Sequence, residues 1–187
     1  MYNKIKKRLT YRDVDEVLYS LKKKAIMKEI EILGANRFET FTKTRSGSRA
    51  VIINNGNILL SHETKSGLWM LPGGGFEQNE SPEECCIREV EEETGYAVMP
   101  VRKFLILYEY YEEYCYISHY FVCKITGHGI INLTEAEKER GLEPQWIPFN
   151  EAIDLFSHHQ DYAKISEEKR GSYLREYTAL KNLRLSD

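Results

Sequence analysis

The sequence is poor in the features that mark several protein classes. It holds only four cysteines, at positions 85, 86, 115 and 123, and none forms a C-x-x-C pair. Neither a zinc site nor a disulfide framework is indicated, and buried free thiols in a reducing cytoplasm are the expectation. No apolar run approaches the length that crosses a bilayer, and the opening MYNKIKKRLTYRD lacks the apolar centre of a secretory signal. The expected setting is therefore cytoplasmic, with no membrane partner. Internal repeats, low-complexity tracts and long linkers are also missing. Neither charge sign dominates: 26 Lys/Arg face 29 Asp/Glu, a net charge of −3, so the chain as a whole has no bias towards nucleic acid.

That balance hides an asymmetry. Met1–Lys28 carries a net +6 and the remainder −9. A basic segment docking on the chain's own acidic body is the favoured reading; an anionic partner such as nucleic acid is the alternative.

With 187 residues, 42% hydrophobic and 29% charged, the chain suits one domain with a sizeable core. We divide it into an N-terminal helical and strand extension, 1–44, and a main domain, 45–187, that ends in a helix. Val14, Val17, Leu18, Leu21 and Ala25 recur at helical spacing behind Thr10 and Asp13, which predicts an amphipathic helix over 11–25. Its apolar face folds back on the domain or could build a homodimer. Ile30 and Ile32 alternate with glutamates and favour a strand, and the Thr-rich run 38–44 suggests a second. Asn54-Asn55-Gly56 between two apolar runs reads as a hairpin. Strands are expected at 69–71, 97–108, 114–125 and 145–148, a polar acid-rich loop over 127–144, and helices at 150–157 and 166–184.

The stretch from Gly74 to Tyr96, with Gly73 just before it, carries the chemistry. Three glycines lead through a polar loop to Ser81-Pro82 and Glu84, a helix start with a capping box. Gly95 ends the helix. At about 100° per residue, Glu89, Glu92 and Glu93 share about one third of its circumference, beside an apolar face of Cys86, Ile87 and Val90. Clustered carboxylates repel one another, and a divalent cation is the simplest relief. All-oxygen donors select magnesium, manganese or calcium over zinc. Gly73 could add its carbonyl, because glycine permits close backbone approach.

The spacing has a further meaning. Gly74, five residues, Glu80, seven residues, Arg88-Glu89-Val90, Glu91, Glu92-Glu93, Thr94, Gly95, Tyr96 resembles the Nudix box. Seven fixed residues match by chance on the order of 10⁻⁸ per start position. Tyr96 stands where the family usually has an aliphatic residue, and Asn79 where it often has glycine; Asn tolerates the left-handed conformation. Leu71-Pro72-Gly73-Gly74 and Gln145-Trp146-Ile147-Pro148 widen the resemblance to about Arg49–Leu155.

The resemblance implies an α/β protein with the Nudix fold, an α/β/α sandwich around a mixed β-sheet. It implies an enzyme that hydrolyses the pyrophosphate bond of a nucleoside diphosphate linked to a group X, with Mg²⁺, or Mn²⁺ in its place. By position in the box, Glu92 and Glu93 are metal ligands, Glu89 is a third ligand or the general base, and Arg88 orients the carboxylates. Glu80 is structural. Family members often recruit a late-loop acid, for which Glu137 and Glu139 are candidates. Tyr108, Tyr110, Tyr111, Tyr114 and Tyr116 lie where dinucleoside polyphosphate hydrolases carry a marker tyrosine; strand packing is the favoured reading. Trp69 and Phe76 could stack on a base, with core burial favoured for Trp69. The five histidines read as surface or packing residues. The partner is a small nucleotide. Two rivals remain: a non-catalytic nucleotide-binding or sensor Nudix domain, and an RNA 5′-end pyrophosphohydrolase using the basic N-terminus.

Overall fold

Strict alternation of apolar side chains organises the centre of the fold in the computed structural model, which describes residues 27–183. Along β2 (Lys43–Asn54), Ala50 and Ile52 enter one core while Val51 enters another on the opposite face. Such a strand, buried on both sides, needs helices on both sides. The other strands are β1 (Lys28–Leu33), β3 (Asn57–Glu63), β4 (Leu68–Met70), β5 (Gly73–Gly75), β6 (Tyr96–Tyr111), β7 (Tyr114–His128) and β8 (Leu142–Pro148). They form one mixed sheet in the order β1-β6-β7-β2-β3-β4, with β5 on β2 and β8 on β3. Pairing is parallel for β1 with β6 and for β2 with β7, and antiparallel for β6 with β7.

Helix α1 (Pro82–Thr94) covers one face through Cys86 and Val90, against Ala50, Ile52, Leu59, Phe121 and Cys123. On the other face, α3 (Phe149–Ser157) and α4 (Glu167–Asn182) bring Ala152, Phe156, Tyr173, Ala179 and Leu180 onto Val51, Leu60, Leu105, Leu107 and Tyr120. The result is the expected α/β/α sandwich. All four cysteines are buried free thiols. Among the described residues no helix is long and apolar enough to cross a membrane.

The hairpin forms as expected: Asn54 pairs Asn57, and Asn55 and Gly56 both take positive φ, 48° and 78°, as a two-residue turn requires. The strand expected around Ile30 and Ile32 is β1. The helix expected over 11–25 lies outside the described residues.

Four expectations need correction. Residues 38–42 make isolated bonds to the β6–β7 turn, Phe38 N to Glu112 O and Thr42 N to Glu113 O, and pair in no ladder; the strand begins at Lys43. The stretch 127–144 is not all loop. β7 runs on to His128, and Thr134 with Glu137 forms a capping box that opens the short helix α2 (Glu135–Arg140), closed by Gly141. The strand expected at 69–71 is shifted to Leu68–Met70, because Leu71 already turns into the core. Ile87 is exposed, whereas Cys85 is buried: one residue carries a side chain about 100° round the helix, and Ile87 leaves the face that the sheet covers.

Candidate active site

The site grows from the helix phase of α1. Glu93 lies seven residues after Cys86 and three after Val90, so it shares their stripe and is driven into the core. Its carboxylate accepts bonds from Ser61 Oγ at 2.7 Å and from the Gly73 amide at 3.2 Å. Burial is the main cause that lifts its pKa to about 8. Glu89 and Glu92 lie progressively further round. Glu89 is more than half shielded and its pKa is raised, first by burial and then by Glu92 and Glu137, against the pull of Arg88. The side chain of Glu92 is 32% exposed.

Arg88 binds this cluster together. Its Nη1 donates to Glu89 Oε1 at 2.9 Å and Glu92 Oε2 at 3.0 Å; its Nε and Nη2 fork onto Glu80 at 2.7 and 2.9 Å; Nη2 also reaches Gly75 O at 3.0 Å. The fork holds the Glu80 carboxyl down at about 2. Glu80 thus stays charged and also ties the loop through the Glu77 amide.

The glycine turn lies under the acids. Gly73 has φ 142°, and a Cβ there would collide with Ser48 O and come within 2.7 Å of Arg49 Cα. A Cβ on Gly74 would sit 2.5 Å from the Glu89 carboxylate, so a side chain there would displace it. Asn79, in place of the usual glycine, has φ 65°.

Arg88, Glu89, Glu92, Glu93 and the three glycines line a cavity of about 880 Å³ whose walls also include Thr44, Arg45, Ser46, Phe76, the 132–134 loop, Glu137 and Arg140. Of the two late-loop candidates, Glu137 is on the wall and Glu139 is exposed away from it. None of the five tyrosines lines it. Tyr108 and Tyr110 donate to Glu29 and Glu31 across the sheet edge, and Tyr114 stacks on Tyr116. Trp69 stacks on His62 at 3.9 Å between centroids, packed against the core.

Among the described residues, five glutamates on the cavity wall, Glu77, Glu89, Glu92, Glu93 and Glu137, face three arginines, of which Arg140 is already engaged by Glu63 at 2.7 Å. This excess of negative charge, carried on carboxylate oxygens, fits a hard divalent cation. Glu89 and Glu92 each give Arg88 a single oxygen. Among the described residues no three acidic, histidine or cysteine side chains converge tightly enough to enclose an ion as they stand. An ion here would draw on the Gly73 carbonyl and on Glu89 and Glu92, with Glu93 behind them.

Sequence reasoning missed three participants. Ser61 and Arg49 reach the site from strands distant in the chain. Arg45 projects to the rim beside Gly75, with no carboxylate partner among the described residues. No local motif marks any of them.

His119 packs behind the loop, its ring stacked on Phe76 at 5.5 Å and its Nδ1 buried without a hydrogen-bond partner among the described residues. Burial, then Lys103, lowers its pKa to about 4. The unfolded chain takes up this proton below about pH 6.5, before the folded one does, so stability falls as pH drops from there towards 4. Because the ring is only half-buried, we expect a loss of about 1–2 kcal/mol. In urea melts between about pH 7.5 and about pH 5, His119→Phe should retain the stack and lose that part of the slope. An unchanged slope would show that other groups set it.

The family model for the NUDIX domain matches residues 43–168. YjhB of Bacillus subtilis (strain 168), assigned provisionally as an ADP-ribose pyrophosphatase, is 29% identical over 106 residues, 54% of this chain and 47% of its own. GDP-mannose pyrophosphatase of Yersinia enterocolitica is 28% identical over 123 residues, 60% of this chain and 64% of its own. The chain thus spans between about half and two thirds of these relatives. Among solved structures, a NUDIX hydrolase from Nitrosomonas europaea superposes with a TM-score of 0.50 at 21% identity, covering 76% of this chain and 94% of that one, a likeness of fold.

Proposed function

The chain belongs to the Nudix family, and from that premise we propose that it is a pyrophosphohydrolase cleaving the diphosphate of a nucleoside diphosphate linked to X, with Mg²⁺ or Mn²⁺ as cofactor. The observation that carries this reading is the meeting of the glycine turn, Arg88 and the carboxylates of Glu89, Glu92, Glu93 and Glu137 on one open cavity. Diphosphate cleavage needs charge neutralisation, fixed geometry and an activated water. A bound divalent ion supplies the neutralising charge. Glu89, Glu92, Glu93 and the Gly73 carbonyl would hold it, and Glu89, whose carboxylate lies against Gly74 on the cavity wall, serves as ligand or general base. Arg88 sets the spacing of the acids, and Arg45, which has no carboxylate partner among the described residues, offers its guanidinium to a phosphate. We take 45–187 as the hydrolase domain and 1–44 as an extension whose strand enters the sheet.

A nucleoside diphosphate sugar is the favoured substrate class. The two relatives named above are called ADP-ribose and GDP-mannose pyrophosphatases, and none of Tyr108, Tyr110, Tyr111, Tyr114 and Tyr116 stands on the cavity wall to support a dinucleoside polyphosphate. The test is a panel of ADP-ribose, GDP-mannose, UDP-sugars, dinucleoside polyphosphates and nucleoside triphosphates with Mg²⁺, Mn²⁺ or EDTA, with products identified by mass. Expected is metal-dependent release of a nucleoside monophosphate and a sugar phosphate. Binding without turnover across the whole panel would support a sensor domain instead.

A further inference from the structure

Beneath α4, on the sheet face opposite α1, a cluster of ionisable groups is buried that the proposed chemistry does not use. Glu176 is wholly buried. Its Oε1 accepts from Arg175 Nη2 at 2.8 Å and Nε at 3.1 Å, and its Oε2 accepts from the Tyr120 hydroxyl at 3.1 Å. Glu109 lies beside it in the same layer, bonded by Ser118. A buried ionic cluster is a poor source of stability compared with apolar packing, and its best-attested uses are to fix register or geometry.

Arg49 connects this cluster to the site. It stands on β2 directly opposite Tyr120 of β7 on one side and Gly73 of β5 on the other. Its Nε lies 3.8 Å from Glu176 Oε1, while its Nη1 donates to Leu71 O at 3.1 Å and to Gly73 O at 3.3 Å, on either side of Pro72. The Gly73 amide meanwhile donates to Glu93. The residue is therefore gripped from both faces of the sheet: its carbonyl by Arg49 from the α4 side, its N–H by Glu93 from the α1 side. Because Gly73 has a backbone conformation open mainly to glycine, it needs such restraint to hold one orientation.

We propose that Arg49 is a positioning residue that fixes the Gly73 carbonyl for the divalent ion and substrate diphosphate, and that Glu176 anchors it, making the C-terminal helix part of the active-site scaffold. The inference deepens the hydrolase reading and rests on it. A lysine has one compact ammonium in place of the planar fork and cannot span Glu176 and both carbonyls.

The test uses the full chain with Arg49→Lys, Glu176→Gln and the double variant. We measure Tm, kcat and KM on the best panel substrate, Mn²⁺ binding by the electron spin resonance of the free ion, and the Gly73 amide resonance. Expected for Arg49→Lys is a folded protein whose kcat falls about tenfold to a hundredfold with KM little changed, whose Mn²⁺ binding weakens by about tenfold or more, and whose Gly73 resonance shifts. Glu176→Gln should give a smaller loss in the same quantities, and the double variant no more than Arg49→Lys alone. Wild-type kcat and Mn²⁺ affinity in both single variants, or a loss confined to KM or to Tm, overturns the proposal. If Arg49→Lys does not fold, Glu176→Gln decides alone. If the wild type hydrolyses nothing on the panel, the hydrolase reading fails, while Mn²⁺ affinity and the Gly73 resonance still judge Arg49.

Discussion

Replacing Glu93 with glutamine is expected to slow catalysis by orders of magnitude and strengthen the fold at the same time. The carboxyl is buried in the stripe of Cys86 and Val90 and titrates near 8. An acid whose folded pKa is raised lowers stability as pH climbs from the ordinary carboxyl value to the folded one, and the full cost is present above it. Glutamine keeps an acceptor for Ser61 and Gly73 and carries no charge. In EDTA above about pH 8, Glu93→Gln should therefore gain about 2–4 kcal/mol, a rise of several degrees in Tm. Glu92→Gln should behave differently. Its side chain is about a third exposed and paired with Arg88 on the helix surface, so stability should move by less than about 1 kcal/mol. With metal and substrate present, both variants should lose about a hundredfold to a thousandfold in kcat. Calorimetry in EDTA and steady-state kinetics on the same preparations check this. Wild-type turnover in either variant would remove it from the proposed metal site, and a lower Tm for Glu93→Gln would mean that its bonds outweigh its charge.

Gly73→Ala is the most damaging single change we expect. The new methyl would collide with the Ser48 carbonyl and crowd Arg49 Cα, both parts of a central strand that cannot yield, at a φ of 142° that alanine avoids. The combined clash and strain amount to about 3–5 kcal/mol, a large part of the stability of an ordinary domain. The variant should express poorly or melt about 10 °C or more below wild type. Gly74→Ala is the control: its methyl meets the end of the flexible Glu89 side chain, so it should fold and lose activity. A Gly73→Ala protein melting with wild type would show that the turn can relax, and that Arg49 and Glu93 do not hold it rigidly.

The parts of this fold legible in the sequence are those decided within a few residues. Asn55-Gly56 sets its own turn, Ser81 and Glu84 cap the helix, and Asn79 takes the conformation that the missing glycine would have taken. The box likewise placed its acids around one side of α1. How deep each acid would lie was not legible, because that depends on which arc of the helix meets the sheet. Glu93 is sealed in while Glu92 faces water, although they are neighbours. The α2 helix could have been found: Thr134 with Glu137, and Gly141 after them, repeat the cap-and-stop logic of α1 inside a stretch whose polarity suggested a loop. Its phase, which turns Glu137 to the cavity and Glu139 away, required the helix first. The contacts of Arg49 with Gly73 and Glu176, and of Ser61 with Glu93, join strands and helices far apart in the chain and leave no periodicity to read.

β1 lies before the stretch that matches the family, yet it runs beside β6 from Lys28 opposite Leu105 to Leu33 opposite Tyr110. A shortened protein begun at Lys43 would leave that flank of β6 with a row of unanswered amides and carbonyls, a template on which another chain can add itself. The match to the family therefore makes a poor guide for trimming this protein: with β1 gone, the edge of the sheet passes from a strand of six residues to one of sixteen.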